Sequence, residues 1–505
     1  MTRLRLLTIS TILLLTLCVS AASPHKGVGC WRGKSSQMKT ASARLFSNQH
    51  SDKPTQFLGK RRGLVILAEF TDQQFKAENF QQKYDKILNA KGYTSSEGFR
   101  GSVADYFLDQ SNGQFELTFD VVGPFTTHHD YSYYGSNDNE GYDLLPHEMV
   151  IEMCQAADDF VDYADYDWDG DGEVDEVFVV YAGKGESDGG KVTTIWPHMW
   201  TLDEAMGETI TLDGMIINTY ACANELDARG ALNGIGTFCH EFSHCLGLPD
   251  FYSTIGSNES VMGSFDVMDQ GLYNGGGFCP PSYTAYEKMV CGWQMPIVLG
   301  NEDVYVDGIV PISENGQTYI IYNDAWPDEY YTIENRQTTG WDKSFPASGL
   351  LILHVDYDEY LWEYNYPNSV ISDSSANHDY ELERGNDHER MTFFHANARD
   401  LNPKLYPYLQ NDSLTATSKP DAILFNDNSM GNRLMQGSIL DIHQNDDGTM
   451  GFFYRTMNPI LTAIRTVEVP TLPRRIYHLD GREASNSLES LPHGIYIVDG
   501  KKVVR

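Results

Sequence analysis

His240, Glu241 and His244 stand in the order His-Glu-x-x-His, and Gly247, Pro249 and Asp250 follow within the next six residues. Side chains four apart project from one face of an α-helix, so His240 and His244 can grip a single ion. Glu241, next to the first of them, can take a proton from a water held at that ion and hand it to a leaving amine. This is the spacing that zinc peptidases use. Glycine tolerates the left-handed backbone that ends a helix and proline prevents its resumption, so the chain is expected to turn back at Gly247. The turn could carry Asp250 to the ion as a third ligand, leaving the fourth tetrahedral position for water. A glutamate ligand about twenty residues beyond the second histidine, as in other zinc hydrolases, is not offered, because Ser264 stands there. The chemistry read from these residues is hydrolysis of peptide bonds in proteins or peptides. Zn²⁺ is held by His240, His244 and Asp250, and Glu241 is the catalytic base.

A helix carrying these ligands needs a second face to anchor it. Ile235, Phe238, Phe242 and Cys245 supply that face at spacings of three, four and three. Cys239 and Cys245 point in different directions around such a helix and read as buried small side chains, not ligands. The folded part opens on an apolar strand from Leu64 to Phe70, and helical and strand-like segments alternate from there to the metal helix. The class expected is α+β, with a zinc peptidase catalytic domain over residues 63–298. Beyond Gly292-Trp293 the apolar runs Tyr319–Tyr322, Tyr330–Ile333 and Leu350–Val355 predict a β-rich subdomain over 299–457. A small C-terminal β-module over 458–505 closes with Asp499-Gly500 between apolar runs, a hairpin signal. His198 and His354 read as packed or hydrogen-bonded side chains, not as further ligands.

A second metal site is offered by the run from Asp167 to Asp175. Asp167, Asp169, Asp171 and Asp175 alternate with glycines and other residues that permit a tight wrap, and hard oxygen ligands in such a loop favour Ca²⁺. It begins like an EF-hand, but Phe178 occupies the twelfth position, where a bidentate glutamate is required. A shorter calcium loop leading into the strand Val177–Tyr181 is expected instead.

The formal charge of −35 argues against nucleic acid or anionic membranes as partners. The 41% hydrophobic and 12% aromatic content excludes a disordered chain. Arg3 and Arg5 precede an apolar stretch from Leu6 to Val19, and Val19-Ser20-Ala21 offers a cleavage site, so residues 1–21 read as a signal peptide and the protein as secreted or displayed at the cell surface. No later segment is long and apolar enough to cross a bilayer. Residues 22–62, ending in Lys60-Arg61-Arg62, read as a propeptide or lead-in, in which Cys30 could cap the zinc of a latent precursor. Seven cysteines follow the signal segment, an odd number without a dense framework spacing, so at least one thiol is free or pairs with another chain.

The sequence resembles the immune inhibitor A family of secreted zinc metallopeptidases. The likeness rests on His240 to Asp250, the strand near Leu64, the acidic loop, Ile195-Trp196-Pro197-His198, Gly234-Ile235-Gly236-Thr237-Phe238 and Glu334-Asn335-Arg336-Gln337, and spans roughly residues 63–365. The resemblance implies the same zinc ligands and base, a calcium-binding acidic loop, and a metzincin-like lower half with a methionine turn at Asp266-Val267-Met268-Asp269. Met268 would then form a soft apolar floor beneath the histidines. Where metzincins often carry a tyrosine two residues after that methionine, this chain has Gln270, and Tyr273 is the nearest. Gly494-Ile495-Tyr496-Ile497-Val498 resembles the C-terminal sorting domains of the type IX secretion system, which implies secretion machinery as a partner and passage through an outer membrane. The competing reading is an inactive surface binding or adhesion protein that keeps a structural metal. Retention of Glu241 argues against it, since a structural site has no need of a base.

Overall fold

The computed structural model describes residues 57–457, apart from short gaps at 139–140, 256–258, 380–381 and 399–401, together with strand segments between 465 and 504. The expected signal segment, Cys30 and most of the lead-in lie outside the described residues.

The first sheet contains β1 (Gly59–Glu69), β2 (Phe115–Thr126), β3 (Val177–Lys184), β4 (His198–Thr201) and β5 (Thr219–Leu226), in the spatial order β2-β1-β3-β5-β4. Its pairings are parallel except for β4, which runs antiparallel to β5. Parallel strands are usually covered on both faces, and the alternation of β1 and β3 fits that. Val65, Leu67, Phe178 and Val180 face one apolar cluster, whereas Leu64, Ile66, Val177 and Val179 face another. The first cluster is closed by α1 (Gly236–Cys245), the second by a helix over Pro146–Ala157, giving three layers.

The folded part begins earlier than the apolar strand alone suggests. Gly59–Arg62 pair with Phe115–Thr118, so Lys60-Arg61-Arg62 lies in the opening of β1. These positions have β2 on one side only, while β3 joins from Leu64 onward. Basic side chains tolerate that half-open edge, and Arg62 Nε donates to Asp120 Oδ2 at 2.8 Å.

The second half is β-rich, as expected. Strands Ile297–Val298, Tyr319–Tyr322, Glu329–Arg336, Gly349–Asp356 and Met391–Phe393 form a five-stranded sheet. Its two faces have different partners. Tyr319, Ile321, Ile333 and Ile352 pack onto Val306, Phe452 and Tyr454 of a third sheet, whereas Ile320, Tyr330, Leu351 and Leu353 enter the same apolar cluster as the metal helix. The apolar core therefore runs continuously across position 298. The C-terminal strands Ile495–Val498 and Lys501–Val504 pair antiparallel.

Candidate metal centre

Aromatic packing fixes α1 on its sheet. Phe238 stacks on Phe178 with ring centroids 3.8 Å apart, and Phe119 meets both Phe238 and Phe242 edge-on. Ile235, Phe238 and Phe242 are buried and Cys245 is half-buried, so the anchoring face is the one the spacing indicated. The start of the helix passes so close to the 272–277 loop that a Cβ on Gly236 would lie 1.8 Å from the Leu272 carbonyl oxygen.

The opposite face holds the histidines. His240 Nδ1 lies 2.8 Å from the Val267 carbonyl and His244 Nδ1 lies 2.7 Å from the Leu248 carbonyl. A carbonyl can only accept, so each Nδ1 donates, and in the neutral rings each Nε2 keeps its lone pair for another partner. Both Nε2 atoms are buried without a hydrogen bond, and they stand 3.2 and 3.4 Å from Asp250 Oδ1. Ligands at zinc distances of about 2.0–2.1 Å in a tetrahedron are separated by about 3.3 Å. Two nitrogens and one carboxylate oxygen at that separation, each buried, fit a zinc ion. Burial by itself would raise the Asp250 carboxyl, but with the His244 and His240 rings protonated their charge and hydrogen bonds outweigh it and hold the group well below the usual carboxylate range.

The return of the chain follows the expected route. Gly247 has φ 91°, the left-handed conformation, directly after the helix ends. Leu248 then presents its carbonyl to His244 and Asp250 arrives at both rings. The Asp266–Asp269 turn lies beneath. Val267 accepts from His240, Met268 accepts from the Phe251 amide at 2.9 Å, and Met268 is itself buried. One turn thus braces His240 and Phe251, the residue after Asp250. Glu241 is buried on the same helix, whereas Tyr273 is 50% exposed.

In the acidic loop, ligand atoms of Asp167, Asp169 and Asp171 lie within 4.8 Å of one another. Asp167 accepts from the amides of Gly170 and Gly172, so the glycines do wrap the loop around its carboxylates. Asp175 adds a fourth carboxylate near enough to feel the charge of all three. Its Oδ2 accepts the Trp168 amide, and burial pushes its carboxyl up to about 7.

The other singled-out residues have packing roles. His198 bonds to Trp196 O and to the Tyr220 hydroxyl, and burial lowers it to about 4. His354 Nε2 lies 2.8 Å from Glu329. Cys239 is buried and Cys245 half-buried, and both belong to the six free thiols among the described residues. Two parts of the site have no local signal in sequence. Asn365, from the β-rich half, contacts Asp250, and Glu176 lies buried beside Cys245 with its carboxyl raised by burial.

These distances, donor types and brace contacts can be set beside known proteins. Residues 52–295 match the family model of the immune inhibitor A peptidase M6 catalytic domain. The M6 match begins and ends earlier than the resemblance read from motifs, and it takes in His240, Glu241, His244 and Asp250. The chain is also 26% identical over 287 residues to the pre-pro-metalloprotease PrtV of Vibrio cholerae serotype O1, covering 49% of this chain and 30% of that protein. It is 26% identical over 274 residues to immune inhibitor A of Bacillus thuringiensis subsp. alesti, covering 45% of this chain and 39% of that one. The chain thus spans about a third of the length of these curated relatives. The matches support a metallopeptidase of the immune inhibitor A kind. No helix among the described residues is long and apolar enough to cross a membrane.

Proposed function

We propose that this protein is a secreted zinc endopeptidase that cleaves peptide bonds in protein substrates. The observation that carries the reading is the convergence of His240 Nε2, His244 Nε2 and Asp250 Oδ1 at 3.2–3.4 Å, with both Nδ1 atoms engaged by carbonyls. When bound, zinc supplies a Lewis acid that polarises the scissile carbonyl and acidifies a water. His240 and His244 present neutral nitrogens, and Asp250 contributes the negative charge that balances the cation. Glu241, on the same helix, takes a proton from the attacking water and returns it to the amine that leaves. Burial of Glu241 excludes bulk water that would otherwise compete for the proton. Val267, Leu248 and Met268 hold the frame while this happens.

The acidic loop is read as a structural calcium site formed by Asp167, Asp169, Asp171 and Asp175, of which Asp175 also accepts the Trp168 amide. Met268 is read as the methionine of a metzincin-like turn. Division into a catalytic part to residue 298, a β-rich part to 457 and a C-terminal module is retained as an organisation of the chain. Export through residues 1–21 and outer-membrane passage by type IX secretion remain proposals that rest on the terminal sequences. Glu241→Gln tests the enzymatic reading: zinc uptake should stay at the wild-type level while cleavage of an unfolded protein substrate is lost. Undiminished cleavage by that variant would refute the assigned base.

A further inference from the structure

The third ligand is held from outside the region that matches the M6 catalytic domain. Asn365 Nδ2 donates to Asp250 Oδ2 at 2.7 Å, and Asn365 Oδ1 accepts the Asp250 backbone amide at 2.7 Å. Because a carboxylate accepts and an amide N–H donates, this reciprocal pair admits one orientation of the Asn365 side chain. It leaves Asp250 Oδ1 as the oxygen directed at the two histidine nitrogens. Asn365 is 1% exposed, and its backbone sits at φ 59°, a left-handed conformation that asparagine tolerates better than most residues. Its own carbonyl accepts from Thr254 Oγ1 at 2.9 Å.

Neighbouring residues continue the grip. Asn368 Nδ2 donates to the Phe251 carbonyl at 2.8 Å, and Ser369 Oγ accepts the Thr254 amide at 2.9 Å. Residues 365–369 therefore clasp the segment 250–254 along its length, and the bond at the ligand itself comes from a side chain.

We propose that Asn365 is a positioning residue for the zinc site, which holds Asp250 as a ligand through one oxygen and makes metal affinity depend on the β-rich half of the chain. The proposal rests on the zinc reading given above. Outer-shell groups that orient a ligand typically change metal affinity by about 10- to 100-fold when removed. Charge-assisted bonds to a carboxylate are the stronger class.

Asn365→Gly in the full chain is the informative change, since glycine accepts the left-handed backbone and only the side chain is lost. Zinc affinity is measured by competition with a chromophoric chelator, beside thermal unfolding of the metal-free protein. Asn315→Gly, at φ 64° on the surface side of a short helix, serves as the control for replacing a left-handed asparagine. The expected result is zinc binding weakened about 10- to 100-fold in Asn365→Gly and unchanged in the control. Equal zinc affinity in Asn365→Gly and wild type would overturn the proposal. If Asn365→Gly does not fold, Asn365→Asp keeps the shape and removes the donor, and wild-type affinity there would overturn it equally. Failure of the wild type to take up one zinc per chain would instead sink the zinc reading itself, and this proposal with it.

Discussion

Replacing Gly236 with alanine sets two effects against each other. Alanine is favoured over glycine within a helix by about 1 kcal/mol, so propensity alone would stabilise α1. The added Cβ would lie 1.8 Å from the Leu272 carbonyl oxygen and 3.2 Å from that of Gly277. Both neighbours are backbone atoms, which cannot rotate away as a side chain would. Relief requires the start of the helix or the 272–277 loop to retreat by more than about 1 Å, and overpacking of this kind costs about 1–3 kcal/mol. The steric term should win. The consequence reaches the metal because His240 lies about one turn further along the same helix. A misplacement of about 1 Å at a catalytic centre can cost about 100-fold in rate. Gly236→Ala should therefore lower the urea midpoint of the metal-free protein and weaken both zinc binding and kcat/KM. Gly300→Ala, where nothing lies within 4 Å of the new Cβ, should leave all three unchanged. A Gly236→Ala protein with wild-type zinc affinity and kcat/KM would refute the idea that close approach at this glycine sets the ligand helix.

Burial holds the Asp143 carboxyl up at about 7, although the Trp196 amide bonded to it at 2.7 Å works the other way. Its raised value means stability is fully present below about pH 4, the usual aspartate range, and is lost as pH rises through about 7. Asp143→Asn should thus raise Tm at pH 8 relative to wild type and leave it little changed at pH 4.5; equal shifts at both pH values would contradict this. Removing calcium with a chelator selective over zinc should lower Tm by several degrees, because Asp167, Asp169 and Asp171 then repel across less than 4.8 Å. No change in thermal unfolding would refute the calcium loop. Arg336 is buried with Glu334 and Asp342 at 2.6 and 3.1 Å, so Arg336→Ala should cost about 3–5 kcal/mol in a denaturant melt by leaving two carboxylates without their cation. A loss under about 1 kcal/mol would contradict the reading of Arg336 as the cation that compensates these buried carboxylates.

What could be read from sequence was what a few consecutive residues decide. Histidines four apart on a helix, a left-handed Gly247 and an aspartate carried back by the turn all follow from local backbone rules, and the ligand distances agree with them. The strands 319–322 and 349–356 were equally plain, because they are continuous apolar runs. Lys60-Arg61-Arg62 concealed the first strand turn, since an edge paired on one side needs no apolar pattern. Asn365 gave no signal at all. It stands 115 positions beyond Asp250, and only the packing of the second sheet against the first core brings them together. Gly236 was visible as part of a motif, but the carbonyl that demands a glycine there belongs to a distant loop.

The central claim concerns which atoms hold the metal, and zinc K-edge X-ray absorption on the full chain loaded with one equivalent of Zn²⁺ reads them directly. The expected spectrum contains two imidazoles with the remaining positions filled by oxygen at about 2.0–2.1 Å, and it loses the carboxylate contribution in Asp250→Ala. A sulfur shell near about 2.3 Å, or an unaltered spectrum in Asp250→Ala, would contradict the His240, His244 and Asp250 site.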